Sequence, residues 1–484
     1  MGSSDRPTGD TRDRVALAVI VFIAATARFV GLFRHATMPD EAFTFFIAAH
    51  PLPQVVQLLK SGDFHPPLVY IIGHALLGWS DQAYRFRLVS ATFGVAGVLA
   101  SYAVACRVLG RWALLVAFLV AINPALVFYD GFFRMYALLW SLCMVSWALL
   151  LWALDSPRGA GRWVAYALSV TALLYTQYLA FFTVVAQIGY VVFVRRRTFG
   201  FWAAVAAAFA AFLPWVPVLI VQYPLGGTAY NSLHGHWIDL LQAPPALVAD
   251  GLPPTIELST LFMAVLWVGI LGGLTIAVVQ RRVELLALVA PLALQIGYSL
   301  VSGKLLLGQR YLLQAIPVLI MLLVLLIQTL AASRARVLGL ALAATLAVLG
   351  LAGTIDKHFL GPYMPIDWTQ YRRFLEAHVR PGDAVVLDSS MVYYVLAGST
   401  VVRDRPLFLI ADPSDAAVDG ARASALPRVW FIDYQSQLPD PQALAYKALA
   451  RTHQQRTTWR STQAGYGDVV LTTLFARDEG VRGP

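Results

Sequence analysis

The sequence predicts a polytopic α-helical membrane protein with a small C-terminal α/β domain, and three observations predict it. Its 484 residues are 58% hydrophobic and only 13% charged, where soluble domains carry ~25% charged residues. The mean hydropathy is +0.66, and apolar runs near the ~20 residues that cross a bilayer recur as far as residue 355. Beyond that point, short strand-like and helix-like stretches alternate.

The runs that qualify as spans are residues 15–33, 86–106, 112–129, 135–154, 163–176, 179–194, 199–221, 259–280, 283–301, 311–331 and 337–355, about 11 helices. The first has no small-residue cleavage site and many spans behind it, so it reads as an uncleaved span. Pro66–Trp79 is too short for a core ~30 Å thick and is expected to lie in the interface. Charge supports this. With the N-terminus inside and 66–79 not crossing, every inside loop is basic: Arg12 and Arg14, Arg107 and Arg111, Arg158 and Arg162, Arg195 to Arg197, Arg281 and Arg282, Arg334 and Arg336. The C-terminal domain then lies outside. The net charge of +9 is accounted for by topology, and no nucleic-acid partner is expected. Cys106 and Cys143 both lie in apolar runs, so neither a disulfide nor a thiolate metal site is expected.

This topology puts a set of unusual charges on the outer side. They are Asp40, Glu41, Lys60, His65, Arg85, Arg87, Asp130, Arg134, Lys304 and Arg310. Asp40-Glu41 stands just past the first apolar run, where ionisable groups are costly unless they have a task. His65-Pro66-Pro67-Leu68 follows after room for one helix, and both are expected to border one cavity at the membrane surface. Outer basic residues run against the topological trend. Anchoring an anionic group explains Arg134 and Arg310; interfacial snorkelling is the alternative. The long outer loop Gln222–Glu257 reads as a lid or as a tether. In the tail, a helix is expected at Trp368–Val379, a turn at Pro381-Gly382-Asp383, strands at Ala384–Leu387, Arg428–Ile432 and Asp468–Leu474, and a helix near Pro441–Thr452. The tail has no P-loop and no GxGxxG.

Five stretches carry a family resemblance: Pro39-Asp40-Glu41-Ala42-Phe43; His65-Pro66-Pro67-Leu68-Val69-Tyr70; Tyr84–Gly94 with Arg87-Leu88-Val89-Ser90; Asn123-Pro124, Tyr129 and Arg134-Met135-Tyr136-Ala137-Leu138; and Arg310-Tyr311-Leu312-Leu313 with Pro317. In this order, over residues 15–320, the chain resembles the GT-C glycosyltransferases of family 39 and relatives, the protein O-mannosyltransferase and aminoarabinose transferase type. It departs from them at Tyr175-Thr176-Gln177-Tyr178, where relatives often show Tyr-Thr-His-Tyr, and Asp130 precedes Arg134 instead of an acidic residue following it. Both departures leave metal dependence open, and no cofactor is firmly implied.

The resemblance implies an enzyme of the bacterial plasma membrane that takes a sugar, hexose or pentose, from a polyprenyl-phosphate donor. The acceptor is a hydroxyl on protein, lipid or cell-envelope glycan, and membrane lipids surround the site. The resemblance makes Asp40 the general base and Glu41 the residue orienting acceptor or cation, with inversion at the sugar. The substrate-binding candidates are His65, Arg87, Asp130, Arg134, Tyr136, Gln177, Lys304, Arg310 and Tyr311. A lipid-glycan flippase and a non-catalytic glycan-binding protein are the alternatives. Flippases tend to show repeats and midplane charges, whereas these charges gather at one face. The topology makes one prediction: Ser80→Cys reacts with an impermeant thiol reagent added outside intact cells. Reaction confined to cysteines in the Arg107–Arg111 loop would reverse the orientation.

Overall fold

The computed structural model describes residues 11–32, 37–77, 83–155, 159–194, 198–225, 247–248, 258–304, 306, 309–356, 368–397, 399–410, 413–434, 440, 442–461 and 470–477. The chain divides into two units, residues 1–33 with 50–361, and residues 34–49 with 362–484. Most of the Gln222–Glu257 loop, Ser80 and the Arg195–Arg197 cluster lie outside the described residues.

The first unit is a helical bundle. Among the described residues, seven helices are long and apolar enough to cross a membrane: Arg85–Ala121, Met135–Asp155, Phe199–Tyr223, Phe262–Val279, Val283–Ser302, Leu313–Ala331 and Arg336–Ile355. Leu68–Leu77 is a separate ten-residue helix, only ~15 Å long and short of a core ~30 Å thick. One expected span is interrupted. The run 112–129 breaks at Asn123-Pro124, because Asn123 caps a new helix, Pro124–Asp130, by accepting from Leu126 N at 3.0 Å, and Pro124 occupies its first turn. The run 199–221 stays within one candidate span, Phe199–Tyr223, which tightens to a short 3-10 turn at Leu213–Trp215, where Pro214 sits.

Glycines in the Ala83–Leu109 helix make room for a buried ion pair. Arg28 Nε donates to Asp130 Oδ2 at 2.8 Å, and neither side chain is exposed. Arg28 Nη1 reaches Ala121 O at 2.8 Å, and Trp140 Nε1 donates to Asp130 Oδ1 at 2.8 Å. A charge in this setting survives only when paired and hydrogen-bonded. A Cβ on Gly94 would stand 2.3 Å from Asp130 Oδ2 and 2.7 Å from Arg28 Nε, and one on Gly97 would stand 2.4 Å from the Trp140 ring. The pair thus ties together the first helix, the Pro124–Asp130 helix and Met135–Asp155.

The second unit is an α/β layer structure. Its sheet has the order β2-β1-β3-β5-β4, with β1 Ala384–Leu387, β2 Leu407–Leu409, β3 Arg428–Asp433, β4 Gln454–Ser461 and β5 Val470–Ala476. β1 pairs in parallel with β2 and β3, and β5 runs antiparallel to β3 and β4. Alternate strand residues feed two cores. Val385, Leu387, Trp430 and Ile432 pack with Trp368, Tyr371 and Leu375, while Ala384, Val386, Val429 and Phe431 pack with Ala416, Ala445 and Leu449. Gly382 takes φ +90°, and Asp383 accepts from Arg380 N at 3.0 Å to close the turn before β1.

One boundary differs from expectation. The Pro39–Ala48 helix groups with this second unit and not with the membrane bundle, because Phe43 and Phe46 pack edge-on or tilted against Tyr393 and Tyr394, with Phe43 and Tyr394 centroids 4.8 Å apart. The bundle geometry predicts the cost of filling the Gly94 space. Gly94→Ala should destabilise the protein by ~1–3 kcal/mol, or more if the ion pair separates, read as a lower Tm in detergent. An unchanged Tm would show that Arg28 and Asp130 do not need this glycine.

Candidate functional site

The polar residues of the first unit converge where helix Leu52–Gly62 gives way to Leu68–Leu77. Asp63 ends the first of these and is 3% exposed. Its Oδ1 accepts from Phe64 N at 2.8 Å and lies 2.7 Å from His65 Nδ1. Its Oδ2 accepts from the Tyr70 hydroxyl. Tyr70 in turn accepts from Arg134 Nη1 at 2.8 Å, and Arg134 Nη2 stands 4.0 Å from Asp63 Oδ1. Burial works against the Asp63 charge. The charges of His65 and Arg134, with hydrogen bonds from His65 and Tyr70, outweigh it and hold the carboxyl at about 2. An ionised carboxylate has no proton to donate, so His65 Nδ1 carries the hydrogen and Nε2 is the ring's remaining polar atom.

A second set of hydrogen bonds braces the same end. Leu68 N donates to Tyr175 O at 3.0 Å, joining the His65 turn to the Tyr175–Tyr178 turn. There Gln177 is buried and accepts from Tyr178 N at 2.9 Å. The Tyr178 hydroxyl accepts from Trp215 Nε1 at 2.9 Å and donates to Gln222 Oε1. Gln222 Nε2 reaches back to Leu59 O at 2.6 Å. Next to Gln222, Tyr223 receives Lys304: Nζ is 3.3 Å from its carbonyl and 4.3 Å from its ring centroid.

The Arg310-Tyr311 segment is fixed from behind. Gln295 Nε2 and Gln314 Nε2 donate to Tyr311 O at 3.0 and 2.9 Å, and Gln314 Nε2 also donates to Gln295 Oε1 at 2.9 Å. The Arg310 guanidinium lies 5.1 Å from the Tyr311 ring centroid. The other candidates lie deeper. Arg87 is 2% exposed and donates to Leu32 O at 3.0 Å. Asp130 is the partner of Arg28 and Trp140 described above. Tyr136 is buried, its ring 5.1 Å from that of Tyr129.

Asp40 and Glu41 sit in the first turn of the Pro39–Ala48 helix, in the second unit. Met38 holds the N-cap position and Pro39 the first turn, so Asp40 is not the cap. Glu41 is fully buried and Asp40 is half-exposed. The functional reading of the sequence missed Asp63. Its signal was present in the run Asp63-Phe64-His65, where a carboxylate two residues before a histidine is placed to hold the ring. Among the described residues, no group of three His, Cys, Asp or Glu side chains is close enough to hold a metal ion.

This architecture is shared with solved structures over nearly the whole chain. ArnT from Cupriavidus metallidurans in the apo state matches with TM-score 0.57 and 14% identity, covering 96% of this chain and 98% of that one. ArnT bound to undecaprenyl phosphate matches with TM-score 0.55 and 14% identity, over 99% and 100% of the two chains. The Archaeoglobus fulgidus oligosaccharyltransferase in the apo form matches with TM-score 0.55 and 11% identity, over 91% of this chain and 73% of that one. The chain is a multi-pass membrane protein with the GT-C fold and a small C-terminal sheet domain. No protein-family model matches it, and no curated protein matches its sequence.

The Asp63 network makes a pH prediction. A carboxyl held below its unfolded value stabilises the fold above pH ~4, and that contribution is lost as pH falls toward about 2. The shift corresponds to roughly 2 kcal/mol. Asp63→Asn should therefore lower Tm at pH 7 and flatten the acid limb between pH 4 and pH 2. Tm curves of wild type and variant that superpose across this range would contradict the network as drawn.

Proposed function

We propose that this protein is an inverting glycosyltransferase that moves a sugar from a polyprenyl-phosphate donor to an acceptor hydroxyl at the outer membrane face. The observation that carries the reading is the Arg134 guanidinium, hydrogen-bonded to Tyr70 and facing the ionised Asp63, in a chain that shares its fold end to end with a protein solved with undecaprenyl phosphate bound. A lipid phosphate needs a cation that stays put as charge builds on the departing oxygen. Tyr70 and Asp63 hold this one in place. His65 and the outward cations Lys304 and Arg310, with the Tyr311 hydroxyl, complete the proposed phosphate site.

In the transfer step the acceptor oxygen attacks the anomeric carbon as the bond from that carbon to the phosphate oxygen breaks. The phosphate leaves with the electron pair, and the acceptor proton passes to a carboxylate. Asp40 is that base and Glu41 its positioning partner. Their burial fits this division: Asp40 is partly open to solvent, as a group meeting an incoming acceptor needs to be, while Glu41 is enclosed. One base with no covalent intermediate turns a β-linked donor into an α-linked product. Asp130 and Arg87 belong to the scaffold in this reading, because their described partners lie within the bundle.

The experiment follows turnover and donor affinity together. Asp40→Asn keeps the shape but accepts no proton, so turnover should fall ~10²–10⁴-fold with donor affinity nearly intact. Glu41→Gln should be milder or act on acceptor KM. Near-normal turnover in Asp40→Asn would remove Asp40 as base.

A further inference from the structure

The second unit holds a pair of carboxylates that the proposed transfer reaction does not use. β1 and β3 run parallel, with Leu387 opposite Ile432 as their last pair, and Asp388 N donates to Ile432 O at 2.9 Å. The next residue on each strand is an aspartate, Asp388 and Asp433. Neighbouring strands lie ~4.8 Å apart. By strand alternation both side chains fall on the face that carries Val386 and Phe431 against Ala416 and Ala445. The strand order β2-β1-β3 makes this place the point where the chain reverses its direction of winding. The first crossover leaves β1 toward β2, and the next returns past β1 to β3. In parallel α/β sheets such a point opens a crevice at the carboxyl ends of the strands, where ligands bind.

Asp388 is 1% exposed, and its Oδ1 has no hydrogen-bond partner among the described residues. A buried carboxylate oxygen left bare is rare and costly. The surroundings are also acidic. Asp440 lies close enough to act on Asp388, although its own oxygens cap the Leu444–Thr452 helix by accepting from Leu444 N at 2.8 Å and Ala445 N at 3.0 Å. Burial first, then the negative charges of Asp433 and Asp440, push the Asp388 carboxyl up to about 8.

We infer that Asp388 and Asp433 form a binding site for a hard divalent cation, of the Mg²⁺ type, at the carboxyl ends of β1 and β3. Two carboxylates with the remaining positions filled by water are the usual protein contribution to a Mg²⁺ site. Oxygen-only donors disfavour zinc and copper. The cation would neutralise the facing charges and complete the bare Asp388 oxygen. It would also fix the turn that leads from β1 into helix Ser390–Leu396, and that helix carries Tyr393 and Tyr394, against which Phe43 and Phe46 of the Asp40–Glu41 helix pack. The inference concerns the second unit alone and stands whether or not the proposed transfer reaction is right.

The test uses the full-length protein in detergent at pH 7.5, with Mn²⁺ read by electron paramagnetic resonance and displaced by Mg²⁺. Asp388→Asn and Asp433→Asn should each bind one fewer Mn²⁺ per chain than wild type, whereas Glu41→Gln should keep that ion. Mg²⁺ should raise the wild-type Tm above its value in EDTA and leave the Asp388→Asn Tm unmoved. In EDTA, Asp388→Asn should be at least as stable as wild type, because it replaces a carboxyl whose ionisation is opposed by burial and by the facing Asp433 and Asp440 charges. Equal Mn²⁺ counts in wild type and both variants would overturn the site. So would the absence of bound Mn²⁺ together with a stabilised Asp388→Asn, which would mean two carboxyl groups sharing a proton.

Discussion

An ionised carboxylate sealed from water has to be met by donors and cations, and at Asp63 that requirement organises the whole end of the membrane unit. Its oxygens face His65, Tyr70 and the Phe64 amide, and through Tyr70 they reach Arg134, just before the Met135–Asp155 helix. The cost of burying the charge is offset only while all these groups keep their places. The His-Pro-Pro turn, the start of Leu68–Leu77 and the entry to Met135–Asp155 are therefore fixed relative to one another. Gln222 and Tyr178 brace the arrangement from the other side through Leu59. A guanidinium held this way is pre-organised for an anion, in a manner a flexible surface cation is not.

Within the membrane the same constraint acts again. Arg28 and Asp130 are fully enclosed, and the Ala83–Leu109 helix supplies Gly94 and Gly97 where any Cβ would collide with the ion pair or with Trp140. The two buried charge systems serve different ends in this account. Asp130 ties helices together, whereas Asp63 presents a cation. Both are aspartates near arginines, so residue type alone does not separate them; the partners do.

The membrane class and the tail's alternation were legible because composition and period are local signals. The Ala384–Leu387 strand and the Trp368 helix announce themselves through apolar runs and the Pro381-Gly382-Asp383 turn. The split at Asn123-Pro124 was readable in principle, since an N-cap followed by proline starts a helix, but a continuous apolar window hides it. Asp63 was overlooked because its importance lies in long-range partners, Arg134 above all, which no spacing reveals. The placement of the Asp40–Glu41 helix with the C-terminal unit depends on Phe43 and Phe46 meeting Tyr393 and Tyr394, residues more than three hundred positions away in the chain. β2 and β4 went unread because β2 is three residues long and β4 is polar over much of its length.

The claim at the centre of this account is that Arg134, held by Tyr70 and Asp63, receives a lipid phosphate. Equilibrium binding of undecaprenyl phosphate against undecaprenol, which has the same chain and no phosphate, measures that contact directly. The account predicts that the wild-type protein strongly prefers the phosphate. It also predicts that Arg134→Ala loses most of this preference, since a charge-assisted hydrogen bond of ~1.5–3 kcal/mol is removed. A preference that survives undiminished in Arg134→Ala would contradict it.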